Sequence, residues 1–290
     1  MVDPSPWTPT APASGPHNPT PRPARSSLAV AVGAQFAALV FSTVVAVAFL
    51  VRPVPGGSAQ ELKPGVAPVV LSLLPLWACL LGGVLIAARG RGERVAALVG
   101  LHVRRSDPLW IVVGIVLQYV GALVYLPFSI DQQRLEKPAR ELVDRAGSIG
   151  PGFAVLAVAL VLLAPAVEEL FYRGLVLGAI RRVFEERSTP AAAPIAVVLG
   201  AVGFAGIRGL VVLALRRIVR SKAAPAPIAV VLGAVWFAGI HFEWLQFPAL
   251  LLVGLVCGAV TIRAGRIVPS FFIHVGFNLV TVVELGRRLR

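Results

Sequence analysis

Long apolar stretches alternate with short polar segments along most of this chain. Eight such stretches follow residue 26, and most approach the length of about 20 residues that crosses a hydrocarbon core of about 30 Å. They lie at 27–51, 66–88, 108–130, 152–180, 194–215, 227–242, 247–262 and 267–285. The pattern predicts an all-α, polytopic membrane helix bundle of about eight apolar spans, and therefore a multi-pass protein of the cell membrane.

The composition agrees with this prediction. Apolar residues make up 57% and charged residues 14% of the 290 residues, and the mean hydropathy is +0.82. One soluble core of this size cannot hide so many apolar side chains. The net charge of +13 does not indicate nucleic-acid binding, because the arginines cluster in short loops between apolar stretches. Arginines placed in this way are typical of topology signals and of contacts with anionic lipids, so membrane lipids are the expected partners.

Polar segments divide the chain into regions. Residues 1–26 hold eight prolines and almost no large apolar side chain, which predicts a disordered tail. The basic segments 89–107 and 181–187 fall between apolar stretches, and the positive-inside rule places both of them and the tail in the cytoplasm. The remaining regions are N-terminal transmembrane helices (27–149), a C-terminal membrane core (150–285) and a basic C-terminal tail (286–290).

The C-terminal core contains a tandem duplication, 187–207 and 220–240. The sequence of residues 194–207 returns at 227–240 with one change, at a period of 33 residues. Two nearly identical units indicate a recent copy rather than a solenoid. One crossing by 194–215 would invert every later helix, whereas a re-entrant segment would not. The length of this stretch favours the crossing.

The two copies differ in their chemistry at one end. The second copy leads into His241, and Arg208 stands at the equivalent position of the first copy. A guanidinium has no acceptor and stays protonated, so it neither ligates a metal nor acts as a base. We therefore expect the first copy to be a passenger segment outside the functional site.

Three polar motifs interrupt the apolar stretches of the core. A charge at mid-bilayer costs about 2.5–3.5 kcal/mol on insertion scales, so such side chains must be paired or line a wet cavity. A lone histidine in a membrane often only bonds a neighbouring helix. Here both histidines outside the tail and the basic loop share the core with an acidic motif, which favours one joint site. The candidate catalytic residues are Glu168, Glu169, Arg173, His241, His274 and Asn278.

The spacing of these residues suggests their chemistry. Residues four apart share a helix face, so Glu169 is expected to pair with Arg173. Glu168 is then the less compensated carboxylate and the candidate base that activates water. Two alternatives remain for His241 and His274. They ligate a divalent metal such as zinc together with Glu168, or they hydrogen-bond the water and the developing oxyanion directly.

The three motifs, in this order, resemble the CPBP family of intramembrane proteases, which includes the eukaryotic CAAX prenyl endopeptidase and the lysostaphin-resistance type proteins. The resemblance covers residues 150–283, and its most specific part is Pro165–Gly174. It implies an all-helical membrane core. It also implies that Glu168 activates water and that Glu169 and Arg173 organise the site.

The same resemblance assigns roles to the later motifs. It implies that His241 assists Glu168, and that His274 with Asn278 supports the scissile carbonyl. This chain departs from the family pattern in the 73 positions that separate Glu168 from His241, because the duplication lies between them. The resemblance thus implies a CPBP-type core to which a duplicated helix has been added.

Three functions of different classes fit these residues. The leading hypothesis is a metalloprotease or glutamate-dependent endopeptidase that cleaves a membrane-associated or lipidated peptide or protein. An ion-coupled secondary transporter also uses buried Glu, His and Arg, but it favours two half-chains with matched broken helices, and only a local copy is present. A catalytically silent CPBP-like membrane factor, of the bacteriocin-immunity type, would keep the fold without hydrolysis.

Overall fold

A computed structural model describes residues 24–50, 66–123, 141, 148–186 and 225–289 of the chain. Its helices are α1 (Ala24–Leu50), α2 (Val66–Arg91), α3 (Val95–Val99), α4 (Trp110–Leu123), α5 (Pro151–Glu185), α6 (Pro225–Gly239), α7 (Phe247–Ala264) and α8 (Val268–Arg288). A short 3-10 turn, Asp107–Leu109, precedes α4. The described ranges contain no strand, and the predicted all-α class is confirmed.

Helices α1, α2, α5, α7 and α8 are long and apolar enough to cross a membrane. The described parts of α4 and α6 are apolar but shorter. Large apolar side chains such as Phe36 and Val112 are 70% and 60% exposed on the outside of the bundle, where a hydrocarbon solvent accepts them. The predicted multi-pass membrane bundle is therefore confirmed, and the predicted stretch 194–215 lies outside the described residues.

The two predicted tails overlap with the ends of helices α1 and α8. Helix α1 begins at Ala24, so the last three residues of the predicted 1–26 tail are helical, and 1–23 lie outside the described residues. Helix α8 continues to Arg288, so most of the predicted 286–290 tail is its last turn. Arginine is a good helix former, so Arg25 in α1 and Arg287 and Arg288 in α8 are compatible with helices that extend past the apolar stretch.

Helix α5 occupies the centre and packs against α1, α2, α3, α6, α7 and α8. It widens into π-helical turns at Ala159–Leu163 and Glu169–Val176. Such turns in an α-helix are often found at functional sites. Pro165 lies between them and has no backbone N–H to donate to the preceding turn.

Helices α5 and α6 run antiparallel. A Cβ at Gly233 would lie 3.9 Å from Cδ1 of Leu177, and one turn later along α6 the ring of Phe237 meets that of Tyr172 at 5.3 Å. The end of α5 and the beginning of α6 therefore lie at the same end of the bundle. The inversion of later helices, expected from one crossing by 194–215, is wrong for the described helices. The first copy itself lies outside them.

Candidate active site

The first motif turns two carboxylates of α5 in different directions. Glu169 is fully buried, and its Oε1 lies 2.9 Å from Nη1 of Arg173, so the predicted pair is present. The guanidinium of Arg173 stands 4.4 Å above the ring of Phe237, where the π-face attracts a cation. The ion pair and the ring contact together offset part of the cost of burying two ionised groups inside an apolar bundle.

His274 of α8 reaches both carboxylates. Its Nδ1 lies 2.9 Å from Oε1 of Glu169, and because a carboxylate only accepts, the Nδ1–H donates. Its Nε2 then points at Oε2 of Glu168, 3.8 Å away. That distance is too long for a direct hydrogen bond, but a water beside the two atoms is able to bond both.

Glu168 is the less satisfied of the two carboxylates. Its side chain is 16% exposed, against 0% for Glu169. Its Oε2 is buried without a hydrogen-bond partner. Burying a hydrogen-bond acceptor without a donor costs free energy. We therefore expect Oε2 of Glu168 to accept a hydrogen bond from a water or a substrate group that reaches it.

His241 follows the end of α6. Its Nδ1 lies 2.7 Å from the carbonyl oxygen of Phe237, which only accepts, so Nδ1 carries the proton and Nε2 of the neutral ring keeps a lone pair. The Phe237 ring meets the His241 ring at 4.9 Å and the His274 ring at 5.6 Å, both edge to face. Phe237 thus brings the second and third motifs together.

Asn278 has an identifiable backbone partner. Its Nδ2 donates to the carbonyl of Leu160 in α5 at 2.8 Å. In the wide turn there, the N–H of Ala164 bonds the carbonyl of Ala159. The next donor in this register would belong to Pro165, which has none. Asn278 supplies the missing hydrogen bond and ties α8 to α5.

Sequence reasoning missed two polar residues beside the site. The hydroxyl of Tyr172 donates to Oε1 of Gln35 in α1 at 2.6 Å, and both residues are buried. Tyr172 also packs against Phe237. The available signal was a glutamine within an apolar stretch, which the cost of an unpaired amide in a membrane makes noteworthy.

The side chains do not converge as a three-ligand metal site. No group of three His, Cys, Asp or Glu side chains able to hold a metal is found within the described ranges, which include Glu168, His241 and His274. Nδ1 of each histidine is engaged, with Glu169 or with the Phe237 carbonyl. Of these three described residues, Glu168 and His274 face each other as potential metal ligands, which makes two ligands and not three. The zinc requirement stays a prediction.

Comparison with known families bears on this arrangement. Residues 150–209 and 205–280 match the sequence profile of the family described as Type II CAAX prenyl endopeptidase Rce1-like. The two segments contain all three polar motifs. Comparison with curated proteins and with solved structures gives no match. The C-terminal region is therefore similar to the Rce1-like endopeptidases, which supports its resemblance to the CPBP family of intramembrane proteases.

Proposed function

We propose that the protein is an intramembrane endopeptidase in which Glu168 activates the water that hydrolyses a peptide bond. The observation that carries the proposal is the unpartnered Oε2 of Glu168, 3.8 Å from Nε2 of His274 in the interior of a membrane bundle. The similarity of residues 150–280 to the Rce1-like family supports a membrane-associated or lipidated peptide or protein as substrate. A water held between these two atoms has an acceptor for its proton.

The reaction divides the roles among the buried groups. Glu168 removes a proton from the water, whose oxygen attacks the carbonyl carbon of the scissile bond. The C–N bond then breaks, and the proton on Glu168 passes to the leaving amine. The Nε2 lone pair of His241 orients the water by accepting its second hydrogen. His274, held by Glu169 through Nδ1, faces the developing oxyanion with its Nε2 edge.

Two further side chains prepare the site. Arg173 neutralises Glu169, so the pair fixes His274 without adding net charge. Asn278 acts through the carbonyl of Leu160 and holds α8 beside α5. In this proposal Asn278 is a positioning residue, and contact with the scissile carbonyl is left to His274.

The test is cleavage of a fluorogenic farnesylated CAAX-type peptide by the full chain in lipid nanodiscs. The wild type should cleave it, and Glu168→Gln should not, while both insert into membranes equally. Glu93→Gln is a matched control, because Glu93 lies in a loop and pairs with Arg91 at 2.7 Å. Cleavage by Glu168→Gln would overturn the proposal.

The same assay addresses metal and the alternative functions. Loss of cleavage in a chelator and its return with zinc would establish the predicted metal requirement, and unchanged cleavage would exclude it. An intact wild type that cleaves neither the farnesylated peptide nor the unmodified one supports the transporter or the silent membrane factor. Ion-coupled uptake into proteoliposomes then separates these two.

A further inference from the structure

Helix α8, which carries His274, approaches α4 with almost no space between the two backbones. A Cβ at Gly114 in α4 would overlap the carbonyl oxygen of Ile273. A Cβ at Gly276 in α8 would likewise overlap the carbonyl oxygen of Ile111. Only glycine permits this approach. His274 lies in the chain between the two α8 contact positions, Ile273 and Gly276.

A buried ion pair fixes the beginning of the same helix. The guanidinium of Arg266 donates two hydrogen bonds, of 2.6 and 2.8 Å, to the carboxylate of Asp107. Asp107 is fully buried and also accepts the backbone N–H of Arg104 at 2.6 Å. Arg266 further donates to the carbonyl of His102 at 3.1 Å. A bidentate pair of this kind fixes both distance and angle.

The two features act on one helix in complementary ways. Arg266 precedes the first residue of α8, Val268, by two positions, so the ion pair restrains how far α8 shifts along its axis. The glycine contacts restrain how far it moves away from α4 or rotates. His274, eight residues after Arg266, has its Nδ1 2.9 Å from Glu169 under these restraints.

We propose that α4 and the 3-10 turn before it form a positioning element: the Asp107–Arg266 pair and the close contacts at Gly114 and Gly276 hold α8 where His274 meets Glu169 and Glu168. These residues touch neither carboxylate and act only through His274. The catalytic consequence rests on the proposed hydrolase function, whereas the geometric consequence does not. A misplacement of about 1 Å in a catalytic group is able to cost about 100-fold in rate.

The kinetic experiment compares Gly114→Ala, Gly276→Ala and Asp107→Asn with Gly82→Ala in nanodiscs. Gly82 lies in α2 and has no heavy atom within 4 Å of an added Cβ, so it is the matched control. The two α4–α8 glycine variants should lower kcat by at least about tenfold with KM retained. Asn has nearly the same shape as Asp but no charge. Asp107→Asn should therefore also lower kcat with KM retained, to a smaller degree.

A second measurement does not depend on activity. The coupling between Glu169 and His274 is obtained from a thermal double-mutant cycle with Glu169→Gln and His274→Ala. It should be present in the wild type and in Gly82→Ala, and lost in Gly276→Ala. A residue that only stabilises the bundle would lower the melting temperature and leave this coupling unchanged. Asp107→Asn provides the same comparison if a glycine variant does not fold.

The outcomes separate the two hypotheses. Loss of coupling together with loss of kcat supports the positioning element. Loss of coupling in a protein whose wild type cleaves nothing supports the element and contradicts the hydrolase. Retained coupling in folded Gly276→Ala and Asp107→Asn overturns the element, whatever their kcat.

Discussion

Among the described residues, two buried arginine–carboxylate pairs differ in how fully their atoms are satisfied. At one end of the bundle, both oxygens of Asp107 are bonded, and only Nε of Arg266 lacks a partner. In the centre, Glu169 and Arg173 lie 2.9 Å apart, but Oε2 of Glu169 and Nη2 of Arg173 have no partner. Oε2 of the adjacent Glu168 has none either.

This difference distinguishes a structural ion pair from a candidate reactive one. A pair whose carboxylate oxygens are both bonded restricts geometry and leaves no acceptor free for a ligand. An unsatisfied buried pair costs free energy that a purely structural site would have avoided, so it indicates a place prepared for water or substrate. This criterion favours the central cluster as the proposed reactive site and the Asp107–Arg266 pair as part of the proposed positioning element.

The largest expected effect tests the reactive side of the comparison. Glu168→Gln removes the acceptor of the water proton and should lower kcat/KM by about 10²–10⁴-fold, the usual contribution of a general base. Membrane insertion and the melting temperature should change little, because Oε2 has no partner to lose. If the variant fails to accumulate in the membrane fraction, Glu168 is structural instead.

The next effect is on stability. Arg173→Met leaves the carboxylate of Glu169 uncompensated in the interior and should destabilise the protein by about 3–5 kcal/mol. Thermal unfolding in detergent measures this loss. Arg287→Met is the control, because Arg287 pairs with Glu284 at 3.5 Å on the exposed end of α8. Equal losses in the two variants would contradict the contrast between buried and exposed pairs.

A smaller effect distinguishes two roles of Asn278. Asn278→Ala leaves the carbonyl of Leu160 without a donor and should destabilise by about 1–3 kcal/mol. Since Pro165 is the reason for the missing donor, Pro165→Ala supplies an N–H, and in that background Asn278→Ala should cost less. Unchanged stability with a large loss of kcat would instead place Asn278 against the scissile carbonyl, as the family resemblance implies.

The smallest effect is the pH dependence of the satisfied pair. The Arg266 hydrogen bond holds the pKa of Asp107 below its ordinary value of 3.8. A carboxylate with a lowered pKa stabilises the fold above its unfolded pKa and loses that contribution as pH falls through the folded pKa. The difference in unfolding free energy between wild type and Asp107→Asn should therefore be constant near neutral pH and shrink between about pH 5 and pH 1. A difference that is independent of pH would show that the charge of Asp107 does not matter.

Local patterns were enough for the membrane class and for contacts within one helix. Apolar stretches of spanning length determine where helices cross, because the bilayer core has a set thickness and leaves no unpaired backbone. The Glu169–Arg173 pair followed from four-residue spacing in the same way. The orientation of α6 could not be predicted in this way. Hydropathy alone does not show from which side of the membrane the chain enters α6.

The helices, the membrane environment and the residue types of the candidate site were predictable from the sequence. Which of these residues meet depends on the packing of the helices. His274 and Glu169 are 105 residues apart, Tyr172 and Gln35 are 137 apart, and Arg266 and Asp107 are 159 apart. No periodicity connects such positions, because their contact depends on how whole helices pack. The close approach of α4 and α8 at Gly114 and Gly276 is the clearest case: two glycines in apolar stretches became a positioning contact only when the backbones met.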